Sequence, residues 1–278
     1  MLKQSAVATS VQKGDLYEIG SGTPLVLLHG MGGTWRNWNP VLEQLSKQHR
    51  VIAITIPGHE GGTPLKGKAS ISALADQLLS ELRAHGIETA HVAGNSLGGW
   101  LAVELARRGF ARSVVALSPA GAWSEQKDYD KLANAVSLGT KLLPVMYAAL
   151  WPFMGFGWGR RFIFKDNMVH GERVPAADFR AMLRGVMRCT MLPELLQSVA
   201  TTGQVQRLED SATPIRIAWG GEDKVLTFEA YGRPFLKNIG THEYISIPNV
   251  GHVPMYDDPA AVTQAILEVT TAVDQRAD

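Results

Sequence analysis

Cysteine is nearly absent from this 278-residue chain, in which Cys189 is the single example. An internal disulfide and a cysteine metal cluster are therefore excluded. A reducing compartment suits this usage, and we expect a cytoplasmic location. Residues 1–14 also lack an apolar core of signal-peptide length, so secretion by that route is not expected.

An excess of charge of one sign is lacking as well. The 27 basic residues nearly balance the 26 acidic ones, which leaves a formal net charge of +1, and no basic run is present. This balance argues against a nucleic-acid partner. Charged residues make up 19% of the chain, below the usual quarter. Much of the surface, or an internal cavity, is therefore expected to be apolar.

One long uncharged run, residues 142–159, lies between Lys141 and Arg160. Its length is that of a membrane span. However, Pro144, Pro152 and three glycines interrupt it, and it lies in mid-chain. We interpret it as a buried or pocket-lining segment, with contact at a membrane interface as the alternative and no transmembrane span.

Short apolar segments alternate with helix-like segments in the first part of the chain and again near its end. This order predicts an α/β fold with a parallel sheet and right-handed crossovers. The alternation stops near Pro119, and the next block is helix-like and rich in Trp, Met and Phe. We therefore predict a core formed by residues 1–119 and 206–278, with a helical cap or lid at residues 120–205.

The motif Gly94-Asn95-Ser96-Leu97-Gly98 follows a short apolar segment and precedes a helical pattern. Such a sequence predicts a strand, a sharp turn and a helix, with Ser96 at the apex of the turn. Gly94 and Gly98 carry no side chain where strand and helix nearly touch. A surface turn with an incidental serine is the alternative.

A serine hydroxyl needs an adjacent base and a carboxylate that orients this base. Catalytic groups of such sheets gather at the carboxyl ends of the strands. Of the eight histidines, His252 follows a strand through a loop that can reach this edge. His29 and His59 are interpreted as structural.

The same rule leaves Asp223 and Glu222 as candidate carboxylates, because both follow a strand. Asp223 is preferred because the turn after Gly220-Gly221 lets it reach back toward an imidazole, and Glu222 is its competitor. Glu209 and Asp210 precede that strand and should lie at the opposite edge. The backbone N–H groups of Met31 and Leu97 are the candidate donors to a developing oxyanion.

These motifs, with His29-Gly30 and Gly251-His252, resemble the α/β-hydrolase family. The resemblance covers essentially the whole chain. It implies a mostly parallel eight-stranded sheet flanked by helices, with Ser96 as nucleophile, Asp223 as orienting acid and His252 as base. It requires no cofactor or metal. The serine argues against the epoxide hydrolase and haloalkane dehalogenase branches, which attack with aspartate.

Several large apolar residues are candidates for a substrate pocket, although packing alone accounts for at least half of those in the insertion. They are Trp35, Trp123, Met146, Trp151, Phe153 and Trp158. Trp38 is expected in the core, and Cys189 is expected to be core rather than reactive. An apolar pocket favours a hydrophobic small molecule as substrate.

The sequence therefore predicts a serine hydrolase of esters or thioesters. A carbon–carbon bond hydrolase, which an arginine in the pocket would favour, is the first alternative. An acyltransferase or perhydrolase that uses the same triad is the second. A ligand receptor without catalysis is the third.

Overall fold

The computed structural model describes residues 10–208 and 212–277. Residues 1–9, with Glu209 and Asp210, lie outside this range, and so do the expectations that concern them. In the described part the strands form one eight-stranded sheet: β1 (Val11–Lys13), β2 (Leu16–Ile19), β3 (Pro24–Leu28), β4 (Arg50–Ile54), β5 (Ala90–Asn95), β6 (Ala111–Leu117), β7 (Ile215–Gly220) and β8 (Ile245–Ile247).

Helices connect these strands and cover the sheet. They are α1 (Asn39–Leu45), α2 (Ile71–Ala84), α3 (Leu97–Arg107), α4 (Gln126–Leu150), α5 (Gly157–Ile163), α6 (Ala176–Arg188), α7 (Leu192–Thr202), α8 (Arg233–Ile239), α9 (Pro254–Asp257) and α10 (Pro259–Ala277). Short 3-10 turns occur at Trp35–Trp38, Trp151–Gly155 and Gly171–Arg173, and a π-helical turn at Phe228–Gly232.

The strand order in the sheet is β1-β2-β4-β3-β5-β6-β7-β8. Strand β2 pairs in antiparallel fashion with both β1 and β4. All the other neighbouring strands in the sheet are parallel. The predicted α/β class and mostly parallel sheet are confirmed. The first strand was not predicted from the sequence.

Two apolar cores cover the two faces of the sheet. The central strands are apolar on both faces, because their side chains alternate between the two cores. In β3, for example, Val26 and Leu28 face one core, whereas Leu25 and Leu27 face the other. This explains why β3 is a continuous apolar run in the sequence.

The segment between β6 and β7 contains α4 to α7, and we call residues 120–205 the helical insertion. An apolar cluster built around Met154, Met168 and Phe179 lies in the insertion and also includes Tyr256 of α9. The insertion occupies the position where the sequence predicted a cap, and its behaviour as a separate cap or lid stays a prediction.

The expectation that residues 142–159 are buried or line a pocket is only partly met. Met154 is buried, but Val145, Phe156 and Trp158 are exposed, the last to 63%. The reason is that nothing in the described chain packs over this side of the insertion. Among the described residues no helix combines the length and the apolar character that crossing a membrane requires.

The turn between β5 and α3 brings two backbone segments into direct contact. A Cβ on Gly94 would overlap the carbonyl group of Gly98, and a Cβ on Gly98 would overlap the carbonyl group of Leu28. Both positions therefore accept only glycine. This close approach places the start of α3 directly above the ends of β3 and β5.

We predict that Gly94→Ala lowers the free energy of unfolding by at least about 2 kcal/mol, because the added methyl group must displace backbone atoms. Gly139→Ala is the matched control. It lies inside α4 with no atom within 4 Å of its Cβ position, so the same change should stabilise the helix by ~1 kcal/mol. Urea unfolding monitored by circular dichroism measures both. Equal effects of the two substitutions would contradict the steric interpretation.

Candidate active site

Ser96 occupies the apex of the β5–α3 turn with backbone angles of φ 55° and ψ −116°. Its N–H donates to the carbonyl of Leu117 at 3.0 Å, which anchors the turn to β6. The loop after β3 approaches closely, since a Cβ on Gly30 would lie 3.2 Å from Ser96 Cβ. A non-glycine residue with positive φ is strained, and such strain is concentrated at functional sites.

His252 and Asp223 form a buried pair near Ser96. The His252 Nδ1 atom lies 2.8 Å from Asp223 Oδ2, and both side chains are nearly inaccessible to solvent. The other carboxylate oxygen, Oδ1, accepts the N–H groups of Val225 and Leu226 at 2.9 and 2.8 Å. Glu222, the competing candidate, is exposed. The structure thus brings Asp223, and not Glu222, to His252.

The backbone N–H groups considered for an oxyanion lie on two sides of this turn. Leu97 is the first residue of α3, where N–H groups have no partner within the helix. Met31 belongs to the loop that follows β3. Both residues line the same cavity as Ser96 and His252, and their role as donors stays a prediction.

Two further residues hold the His252 loop and were not predicted. Asn95 Nδ2 donates to the carbonyl of His252 at 2.8 Å and to that of Leu117 at 3.1 Å. Asp257, 1% exposed, accepts the N–H groups of Gly251, Val169 and His170 at 2.7, 3.0 and 2.7 Å. Only its position among apolar residues, just after the His252 loop, could have signalled this role.

His29 and His59 lie next to each other behind the loop after β3. His29 Nε2 accepts the Ile56 N–H at 2.9 Å, and its Nδ1 donates to the Gly30 carbonyl at 2.7 Å. The two rings meet edge to face at 4.8 Å. Burial, then the neighbouring His59, lowers the pKa of His29, and burial lowers the pKa of His59 to about 4. Both rings are neutral structural elements of these turns.

A cavity of about 520 Å³ opens at Ser96 and His252. Of the described residues that line it, none is Asp, Glu, Lys or Arg, and most are aliphatic or aromatic. Its polar lining residues include Asn95, Ser96 and His252, together with Asn37, Thr140 and Asn167. The insertion contributes much of the wall through α4, α6 and α7.

Two of the six predicted pocket residues, Trp123 and Met146, line this cavity, whereas the other four do not. Trp35 lies in the core of the opposite sheet face, stacked on Tyr17 at 4.6 Å. Trp151, Phe153 and Trp158 point to solvent with 48%, 44% and 63% exposure. The prediction for these four residues is wrong, because the side of the sheet or insertion that each occupies is set by tertiary packing.

Trp38 and Cys189 have the positions expected for core residues. Trp38 is fully buried. Cys189 is buried and also lines the cavity wall, and burial raises the pKa of its thiol to about 11. The thiol is therefore protonated at neutral pH and is a poor nucleophile.

A second cluster of titratable groups lies near the beginnings of the strands, away from Ser96. His49, His91 and Asp274 could approach a metal ion, but their atoms are already used. His91 contacts Ser113 Oγ at 2.7 Å and Asp274 Oδ1 at 3.0 Å, and His49 Nε2 contacts Thr270 Oγ1 at 2.8 Å. These bonds attach α10 to the sheet, and we interpret the cluster as structural.

The chain belongs to the alpha/beta hydrolase family, whose model matches residues 25–265. The strand order, the serine at the β5–α3 turn and the His252–Asp223 pair are features of this family. The expected family resemblance is confirmed.

Curated relatives are similar over most of the chain. One is the epoxide hydrolase EphH of Mycobacterium tuberculosis, 29% identical over 200 residues, or 71% of this chain and 93% of the relative. Another is the putative carbamate hydrolase RutD of Azorhizobium caulinodans, 31% identical over 76% of this chain and 77% of the relative. A thermophilic esterase of Thermogutta terrifontis matches with a TM-score of 0.71 at 20% identity, covering 96% of this chain and 99% of the esterase. This last similarity shows the fold.

We predict that His59 makes stability depend on pH. Its pKa is about 4 in the folded protein and 6.5 in the unfolded chain, so the unfolded chain binds more protons between these values. The free energy of unfolding is then fully present above pH 6.5 and falls toward pH 4, by up to ~1.4 kcal/mol per pH unit for this residue. Urea unfolding at pH 7, 6 and 5 measures the slope.

His59→Gln should reduce this slope, whereas His85→Gln, at an exposed position, should leave it unchanged. His29, His49 and His91 also have lowered pKa values, so a residual slope of the same sign should remain. An unchanged slope in His59→Gln would show that His59 is not the titrating group.

Proposed function

We propose that this chain is a serine hydrolase that cleaves an ester or thioester of a hydrophobic small molecule through an acyl-enzyme on Ser96. The observation that carries the proposal is that Ser96 and His252 line one cavity of about 520 Å³, whose described lining contains no Asp, Glu, Lys or Arg, and that His252 is paired with Asp223. This volume is within the range of small-molecule sites.

In the proposed reaction, Ser96 Oγ attacks the substrate carbonyl carbon and its proton passes to His252 Nε2. The resulting imidazolium donates its Nδ1–H to Asp223 and gives the new proton to the leaving alcohol or thiol as the acyl bond breaks. A water molecule, deprotonated by His252, then attacks the acyl-enzyme and releases the acid. The N–H groups of Met31 and Leu97 would stabilise the oxyanion in both steps.

A carbon–carbon bond hydrolase is the weaker candidate. Its diketone-like acid substrate carries a carboxylate, and we expected an arginine in the pocket to favour it. No arginine or lysine is among the described residues that line the cavity. Arg184 and Arg188 are on the insertion but not in the cavity wall, and Arg188 pairs with Glu60 at 2.8 Å.

Epoxide hydrolysis is another candidate reaction, because the relative EphH is called an epoxide hydrolase. Attack by a serine oxygen on an epoxide would leave an ether, which water does not cleave under these conditions. Attack on a carbonyl leaves an ester, which water does cleave. Ser96 at the turn therefore supports the ester or thioester as substrate.

We predict that the protein hydrolyses nitrophenyl esters and that kcat/KM rises from acetate to butyrate and octanoate. Each methylene that enters the apolar cavity contributes ~0.8 kcal/mol, or about fourfold. Ser96→Ala should lose activity by roughly 10⁴-fold or more. A fluorophosphonate probe should label Ser96, as mass spectrometry would show. Ser72→Ala, an exposed serine on α2, is the matched control.

Three results would overturn this proposal. If a hydrophobic epoxide such as styrene oxide is turned over and every ester is inert, the reaction is a different one. If Ser96 labels but no acyl group is released to water, an acyl acceptor other than water is indicated. Absence of labelling would favour a ligand receptor on this fold.

We predict opposite outcomes for two adjacent carboxylates. Asp223→Asn should lower kcat by about 10⁴-fold, because the amide cannot hold His252 in the tautomer that accepts the serine proton. Glu222→Gln should retain nearly full activity, because this side chain is exposed and does not contact His252. Steady-state kinetics on the best ester measures both. Similar losses in the two variants would argue against Asp223 as the orienting acid.

A further inference from the structure

The helical insertion carries an aromatic patch on its surface. It consists of five side chains with exposures between 44% and 66%: Trp151, Phe153, Phe156, Trp158 and Phe162. Single exposed apolar residues are ordinary, but clustered ones mark an interaction surface. None of these five lines the large cavity, so the proposed hydrolysis does not account for them.

The patch is held in a defined conformation. Arg160 Nη1 donates to the carbonyls of Met154 and Gly155, both at 3.0 Å, and Nη2 donates to that of Glu172 at 3.3 Å. The Trp158 ring lies 5.7 Å from that of Phe153 and 6.1 Å from that of Phe156. A guanidinium group thus fixes the turn whose rings point to solvent.

Helix α4, which precedes the patch in the chain, also carries exposed apolar residues. Leu138, Leu142 and Val145 recur at intervals of four and three residues, which places them on one side of the helix, and all three are exposed. Val136 and Leu143 lie on another side of α4 and line the cavity. The helix therefore has two apolar faces, and only one of them is covered.

Basic groups outnumber acidic groups around this surface. Residues 131–165 contain five basic residues and no Asp or Glu, with Asp130 and Asp166 on either side of this stretch, whereas the whole chain has a net charge of only +1. Lys165 Nζ lies 5.3 Å above the Phe162 ring. Arg161 and Lys165, with Lys224 and Glu222, also line a side pocket of about 350 Å³. The nearby acidic group Glu172 lies 3.8 Å from Arg161.

We propose that the aromatic patch and the exposed face of α4 dock the protein on a lipid surface that carries anionic headgroups. Tryptophan and phenylalanine beside an excess of lysine and arginine are typical of segments that lie in a membrane interface. A symmetric dimer through this surface would bring two predominantly basic surfaces together, which disfavours a second copy as the occupant.

The docked position would bring the wall of the cavity close to the lipid. One apolar face of α4 belongs to the docking surface and the other lines the cavity, so this helix lies between the two. A lipid-dissolved substrate could then enter without crossing bulk water. This consequence rests on the proposed function, whereas docking itself does not.

The test is co-flotation with vesicles, together with tryptophan fluorescence. Trp151 and Trp158 are exposed, whereas Trp35, Trp38, Trp100 and Trp219 are buried and Trp123 is half-buried, so a blue shift on docking reports mainly on the patch. We expect binding and a blue shift with vesicles of phosphatidylcholine mixed with phosphatidylglycerol. Binding should be weaker with phosphatidylcholine alone and should decrease with added salt.

Matched double variants separate the apolar and the charged contributions. Trp158→Ser with Phe162→Ser should abolish binding, whereas Tyr244→Ser, an exposed aromatic outside the insertion with 42% exposure, should not. Arg161→Glu with Lys165→Glu should weaken binding at least tenfold, since each basic residue contributes about fivefold. Lys47→Glu with Arg276→Glu, two exposed cations outside the insertion, is the charge control.

Activity on a water-soluble ester should be unchanged in all these variants, which shows that they are folded. Ser96→Ala should bind vesicles like the unaltered protein, so that failure of docking and failure of the proposed hydrolysis are distinguishable. The proposal is overturned if neither vesicle is bound, or if the Trp158→Ser, Phe162→Ser variant still binds. It is also overturned if the patch instead supports a dimer that this variant dissociates.

Discussion

The site depends on a steric constraint at the turn between β5 and α3. Gly94, Gly98 and the Leu28 carbonyl approach so closely that no Cβ fits between them. This contact sets the distance between the helix start and the two central strands, and it leaves Ser96 at a positive φ of 55°. The loop after β3 reaches the same point through Gly30. The first-turn N–H groups of α3, the serine and this loop therefore converge because glycine stands at three positions.

The imidazole opposite Ser96 is positioned by three separate attachments. Asp223 holds the ring, Asn95 holds the backbone carbonyl of His252, and Asp257 holds the preceding Gly251 N–H. Asp257 also accepts two N–H groups of the insertion, from Val169 and His170. The geometry of the site is thus coupled to the insertion, which supplies both the cavity wall and part of the support for the His252 loop.

The helices of the insertion form two apolar surfaces, one facing the cavity and one facing solvent. On its inner side it closes a cavity that has no charged lining residue in the described chain. On its outer side it presents aromatic rings and basic groups. Both apolar surfaces agree with the low share of charged residues in the chain, 19%. The apolar residues counted from the sequence are divided between an internal cavity and an exposed face.

The fold class and the candidate residues Ser96, Asp223 and His252 could be predicted from the sequence, with Glu222 left as the competitor of Asp223. Both follow from local rules: glycine where backbones touch, and functional groups after the carboxyl ends of parallel strands. Which aromatic residues line the cavity could not be predicted, because this depends on tertiary packing, and Trp35, Trp151, Phe153 and Trp158 lie outside the cavity. The tertiary structure also revealed Asn95 and Asp257. The burial of a side chain depends on what packs over its side of the helix or strand. When a helix has apolar residues on two sides, its sequence does not indicate which side is covered.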